Sequence, residues 1–87
     1  MNILKLYWHP ASQPARAVKS LLVAGGIEHE DQVLEFLKGE HKTPEMLALN
    51  PAGKIPFITL DGKTYNESAS ILRFLARKYP SLQKYYP

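Results

Sequence analysis

The sequence predicts an α/β domain, a mixed four-stranded sheet flanked by helices in the order β-α-β-α-β-β-α. Three observations predict it. A run of strand formers, an amphipathic helical repeat and a second strand-like run follow one another near the N-terminus, the pattern of a parallel pair joined by a right-handed crossover. Asp61-Gly62 separates two further strand-like runs, and this pair suits the type I′ turn of a β-hairpin. The chain then closes with another amphipathic helical stretch. Helices packed on a mixed sheet satisfy all three.

Each element has a local reason. Ile3–Trp8 (ILKLYW) reads as a largely buried first strand. From Pro14 the residues Pro14, Ala17, Val18, Leu21, Leu22 and Gly25 repeat at helical spacing, so they are expected to form the buried face, and Gly25-Gly26 offers a left-handed stop. Ile27–Phe36 is more polar and reads as an edge strand. Thr43-Pro44 is a favourable cap and first-turn pair for a short helix over Thr43–Asn50. NPAGKIP is rich in turn formers, and PFITL-DG-KTY is the hairpin. In ESASILRFLARKYP, Ile71, Leu72 and Leu75 share one helical face, Phe74 and Tyr79 widen it, and Pro80 ends it.

Composition narrows the function. The 87 residues suit one small domain that buries about 60–65% of its unfolded surface. No apolar run approaches the roughly 20 residues of a membrane span, and the start of the chain lacks a signal-peptide pattern. There is no cysteine, which excludes disulfides, dithiol redox chemistry and cysteine-based zinc sites and agrees with a cytoplasmic location. His9, His29 and His41 lack metal-ligand spacing, so no metal is expected. The net charge of +3 is mild; the acid-free end carrying Arg73, Arg77, Lys78 and Lys84 reads as a helix C-terminus complementing its dipole. Tyr79, Tyr85 and Tyr86 beside it match no nucleic-acid recognition module.

Four stretches in series, SQPARAV, KGEHKTPE, NPAGKIPFITLDG and NESASILRFLARKY, resemble in order and spacing the N-terminal, thioredoxin-like domain of glutathione transferases, with the serine-containing theta class most alike. The likeness runs from about Ile3 to Pro87. It implies a glutathione-binding thioredoxin-like domain over 1–80 and, over 81–87, the start of a linker to an all-helical domain that this chain lacks. It implies a cytoplasmic detoxifying transferase in which glutathione is a substrate, the partner is an unidentified electrophile and the full-length protein is a homodimer, with neither nucleic acid nor membrane involved. Without the helical domain, little activity is expected. The alternative is a non-catalytic relative serving binding or assembly.

The chemistry such a protein performs needs a thiolate. A free thiol of pKa about 8.5 is only about 3% ionised at pH 7. Lowering that pKa by about two units takes roughly 2.7 kcal/mol of preference for the anion. A hydroxyl hydrogen bond to a charged sulfur, near 1.5–3 kcal/mol, and a helix N-terminus, near 0.3–1 kcal/mol, suffice together. Ser12 stands just before the first helix, where it reads locally as a cap; the resemblance makes it the donor to the sulfur. Tyr7, near the end of the first strand, is the rival donor. Locally Pro56 reads as opening an edge strand; the resemblance implies a cis Ile55-Pro56 bond, leaving the Ile55 N–H and C=O as an edge that a peptide-like ligand can join. Asn66, Glu67 and Ser68 open the last helix. Locally Asn66 or Ser68 is a cap; by resemblance Glu67 and Ser68 take the ammonium and carboxylate of the γ-glutamyl end. His41, Lys42 and Lys54 are the candidates for the glycyl carboxylate, and Gln13 for the ligand backbone.

Overall fold

The computed structural model describes residues 3–85; Tyr86, and with it the end of the expected 81–87 linker, lies outside the described residues. β1 (Lys5–Trp8), α1 (Gln13–Ala24) and β2 (Glu30–Val33) are followed by two 3₁₀ turns, Phe36–Lys38 and Glu40–Lys42. Then come α2 (Pro44–Leu49), β3 (Phe57–Leu60), β4 (Lys63–Asn66), α3 (Ser68–Lys78) and a 3₁₀ turn at Pro80–Leu82. The strands form one sheet in the order β2-β1-β3-β4. β1 runs parallel to β2 and antiparallel to β3, and β3 and β4 form the hairpin. Asp61 and Gly62 both have positive φ, 54° and 77°, as a two-residue type I′ turn requires.

Alternation along the two central strands divides the core between the two faces of the sheet. Leu4, Leu6, Ile58 and Leu60 face α1 and α3 and pack with Val18, Leu21, Leu22, Ile71, Leu75 and Leu82. Tyr7 and Phe57 face the other way and form a smaller cluster with Leu34, against which Met46 and Ile55 pack. The segment beyond Pro80 belongs to this packing: Leu82 is fully buried, and the Ser81 hydroxyl donates to the Gly25 carbonyl at 3.2 Å.

Three expectations change. The buried face of α1 is Ala15, Val18, Leu21 and Leu22, while Pro14 and Ala17 are exposed. The sheet meets this helix on a stripe turned by one residue from the one its apolar spacing suggests. Only Gly26 of the glycine pair is left-handed, at φ 66°. It closes a Schellman stop, with Ile27 N–H donating to Leu22 C=O and Gly26 N–H to Val23 C=O. Gly25 has ordinary helical φ, and its lack of a side chain admits Leu82. Finally, β2 spans Glu30–Val33, not Ile27–Phe36, because its partner β1 offers four residues in register. Beyond it the chain bends into 3₁₀ turns around Gly39, at φ 72°.

Candidate functional site

Three chain reversals meet at one end of the sheet. The first joins β1 to α1. Ser12 is the N-cap of α1, in extended conformation, and its Oγ accepts the Ala15 N–H at 3.3 Å. A capping hydroxyl uses an acceptor lone pair and keeps its own hydrogen, so capping and donation to a ligand are compatible. Ser12 is half-buried, at the rim of a cavity of about 300 Å³ lined also by Phe36, His41, Lys42, Gly53, Lys54 and Ile55.

The second reversal runs from α2 to β3. Asn50 is fully buried; its N–H donates to Met46 C=O, its C=O accepts the Gly53 N–H, and its Nδ2 donates to Lys54 C=O at 3.0 Å. Gly53 is buried with φ 63°, and a Cβ there would sit 3.1 Å from Leu47 Cδ2 and 3.8 Å from the Lys42 stem. That close approach brings Lys42 to the same cavity as Lys54. The Ile55-Pro56 bond is cis. The β1–β3 ladder begins only at Phe57, opposite Tyr7, and neither the N–H nor the C=O of Ile55 has a backbone partner among the described residues. His41 Nδ1 is likewise buried without a partner among them.

The third reversal leads from β4 into α3. Its N-cap is Glu67, whose side chain makes no capping hydrogen bond. The capping expected of Asn66 or Ser68 is absent: Asn66 ends β4, and Ser68 is already helical. The other two α-helices are each capped, by Ser12 and Thr43. Among the described residues, α3 alone of the three opens with its first N–H groups unclaimed by a side chain. Glu67 has φ 72° and ψ 111°, a region few non-glycine residues enter, so its backbone is strained. This end of α3 lines a second cavity, of about 180 Å³, with Pro14, Lys54, Ile55, Pro56, Asn66, Glu67 and Ser68.

Lys54 and Ile55 line both cavities, which therefore form one groove. It brings together Ser12, His41, Lys42, Lys54, Ile55, Pro56, Glu67 and Ser68 from three segments distant in sequence. Tyr7 is not brought there: it is buried, with its ring stacked on Phe57 at 4.4 Å between centroids. Gln13 is exposed as the first residue of α1 and lies outside both linings. Sequence reasoning missed Phe36 and Gly53. Phe36 reads locally as the end of a strand; Gly53, inside NPAGKIP, carried the signal of a glycine in a tight loop. Among the described residues no cluster of three or more His, Cys, Asp or Glu could hold a metal ion, and no helix is long and apolar enough to cross a membrane.

Comparison with known proteins bears on this groove. The family model described as glutathione S-transferase, N-terminal domain, matches residues 6–83. The human glutathione S-transferase theta-2 is 36% identical over 84 residues, covering 97% of this chain and 34% of its own length. The crystal structure of human glutathione transferase theta-2, in complex with glutathione and an unknown ligand, superposes with a TM-score of 0.91 at 36% identity, covering 97% of this chain and 35% of that one. A glutathione transferase homologue from Drosophila mojavensis with bound glutathione gives a TM-score of 0.86 at 29% identity, over 91% of this chain and 36% of that one. The chain thus spans about a third of the length of the curated relatives it matches.

Proposed function

The chain belongs to the glutathione S-transferases through their N-terminal, thioredoxin-like domain, and from that membership we propose that its groove binds glutathione and holds the thiol as a thiolate for attack on an electrophilic carbon. The observation that carries the reading is the concentration of unmet backbone and side-chain hydrogen-bonding capacity along one groove. A tripeptide with a charged group at each end matches it. The open N-terminus of α3 and the Ser68 hydroxyl suit the γ-glutamyl carboxylate, and the Glu67 carboxylate suits the ammonium on the same carbon. The free N–H and C=O of Ile55 suit the ligand's backbone as an added strand. His41, Lys42 and Lys54 supply donors and positive charge for the glycyl carboxylate at the far end.

Ser12 lines the same groove and stands at a helix N-terminus, where anions are favoured. Its hydroxyl hydrogen is available to the sulfur. The thiol proton leaves to water, and the sulfur lone pair forms the new carbon–sulfur bond. The leaving group departs from that carbon with its bonding pair or, in an addition, the carbon's π pair moves to the neighbouring atom and takes a proton from water. The electrophile's own site is assigned to a further, all-helical domain, with residues 1–80 as the glutathione domain, 81–87 as the start of the connection and a homodimer as the full-length state. Tyr7, stacked within the smaller core cluster, is less suited to the sulfur than Ser12.

Calorimetric titration of the folded chain with glutathione tests the reading. Saturable heat is expected, and Ser68→Ala is expected to weaken binding about tenfold or more, the loss of a hydrogen bond to a charged group. No heat at millimolar glutathione would refute it.

A further inference from the structure

We propose that His9 is a positioning residue for the Ser12 hydroxyl, acting through the turn that joins β1 to α1. The proposal rests on the reading of Ser12 given above. The ring Nδ1 of His9 accepts the Ala11 N–H at 2.9 Å, and its carbonyl accepts the Ser12 N–H at 3.0 Å. One residue therefore takes both backbone donors that lead into the capping serine. An Nδ1 that accepts carries no proton, so in the neutral ring the hydrogen is on Nε2. That hydrogen points to Glu35 Oε1, 3.3 Å away. Glu35 is held in turn: its own N–H donates to Glu40 Oε1 at 2.9 Å. Next along the chain, the Phe36 ring meets the His9 imidazole edge to face, with centroids 5.0 Å apart at 81°.

Phe36 and Ser12 both line the groove, and nothing in the local sequence of either ties one to the other. The imidazole does. Its Nδ1 edge holds the turn that carries the hydroxyl, and its Nε2 edge and ring hold the segment that carries the wall. The cap bond from Ala15 fixes the hydroxyl only from the helix side. His9 fixes it from the strand side. A hydroxyl-to-sulfur bond weakens steeply with misalignment, so loosening this turn acts on the thiolate and leaves the α3 end of the groove untouched.

The experiment is ultraviolet titration of bound glutathione in the wild-type chain and in His9→Ala, His9→Asn and His9→Gln, with affinity measured in parallel. Asn places an oxygen where Nδ1 stands and keeps the bond from Ala11, while falling short of Glu35. Gln reaches toward Glu35 and offers no acceptor at the Nδ1 position. His9→Ala is expected to raise the pKa of the bound thiol by up to about one unit, a fall of about threefold in thiolate at pH 7 for a thiol moved from about 6.5 to about 7.5. The glutathione dissociation constant at pH 6 and below, where the bound thiol is mostly protonated, is expected to change by less than about twofold. His9→Asn is expected to restore most of the shift, and His9→Gln little of it. Added to Ser12→Ala, His9→Ala is expected to do nothing further, because it acts through that hydroxyl. If His9→Ala fails to fold, equal thiol titrations in the Asn and Gln variants overturn the proposal. A wild-type thiol that is not shifted overturns both readings; a shifted wild-type thiol that His9→Ala leaves unmoved overturns the role of His9 alone.

Discussion

Replacing Ser12 by alanine removes two things at once, and the geometry separates them. The first is the cap: Oγ accepts the Ala15 N–H at 3.3 Å, and losing such a cap costs about 0.5–2 kcal/mol of stability. The second is the hydroxyl hydrogen proposed for the sulfur. A hydrogen bond to a charged group contributes about 1.5–3 kcal/mol. Ser12 is only half-buried, on a groove open to water, so the lower end of that range applies. About 1.5 kcal/mol corresponds to about one pKa unit. The N-terminus of α1 remains in the variant and keeps its share of the anion's stabilisation. Ser12→Ala is therefore expected to raise the bound thiol's pKa by about one unit, with glutathione affinity nearly unchanged at pH 6 and below, where the bound thiol is mostly protonated, and weakened as pH rises.

Ser12→Asp distinguishes the two losses. A carboxylate accepts the Ala15 N–H as well as a hydroxyl does and favours the helix dipole, so the stability of α1 is kept. It has no hydrogen to donate, and its charge opposes the thiolate. The thiol bound to Ser12→Asp is expected to titrate above that bound to Ser12→Ala, although the Asp variant is the more stable protein. The assay is thiolate absorbance against pH at saturating glutathione, with denaturant unfolding followed by circular dichroism. A bound-thiol pKa in Ser12→Ala that coincides with the wild type would refute the reasoning, and so would a pKa that follows stability across the two variants.

Further predictions concern the backbone. Glu67→Gly is expected to stabilise the fold by about 1 kcal/mol, because relief of a strained φ of 72° outweighs the entropy of a new glycine, while glutathione affinity falls at least tenfold through loss of the carboxylate. Denaturant unfolding and calorimetry on the same sample check both directions; an unchanged affinity or a less stable variant counts against the reading. Gly25→Ala is expected to cost about 1–3 kcal/mol, since the added methyl would overlap Leu82 in the buried cluster, and chemical denaturation measures it. Gly25→Ala combined with Leu82→Ala is expected to cost less than the sum of the two single changes.

What was legible in the sequence was local. Asp61-Gly62 dictates its own turn, because both residues must take positive φ and few others do so cheaply. Ser12 and Thr43 announce helix starts because capping involves only the next three residues. The length of β2 was not legible, because the register with β1 sets it. Nor was the stripe that α1 buries, since tertiary packing covers Ala15 and leaves Ala17 exposed. Phe36 shows the limit most clearly. It ends the stretch Ile27–Phe36 that reads as a polar edge strand, yet Gly39 and the carboxylate of Glu40 bend the segment so that the ring lines the groove instead.

The groove escapes any periodic reading for a related reason. Its residues come from the ends of elements: Ser12 before α1, Gly53 to Pro56 before β3, Glu67 and Ser68 where β4 gives way to α3. Element ends are where a chain leaves backbone donors and acceptors unclaimed. In α1 and α2 a hydroxyl claims them; at α3 and at Ile55 no described residue does. Capping α3 with its own side chain would have made a more stable helix and a poorer anion site. Keeping Glu67 in a strained conformation has the same sense: it costs the fold while keeping the residue between the helix N-terminus and the groove. Local rules are thus broken at the same end of the sheet where Ser12 keeps one, and a capping hydroxyl with its hydrogen still free is the arrangement that, on the function proposed above, would let a single residue serve the helix and a bound sulfur together.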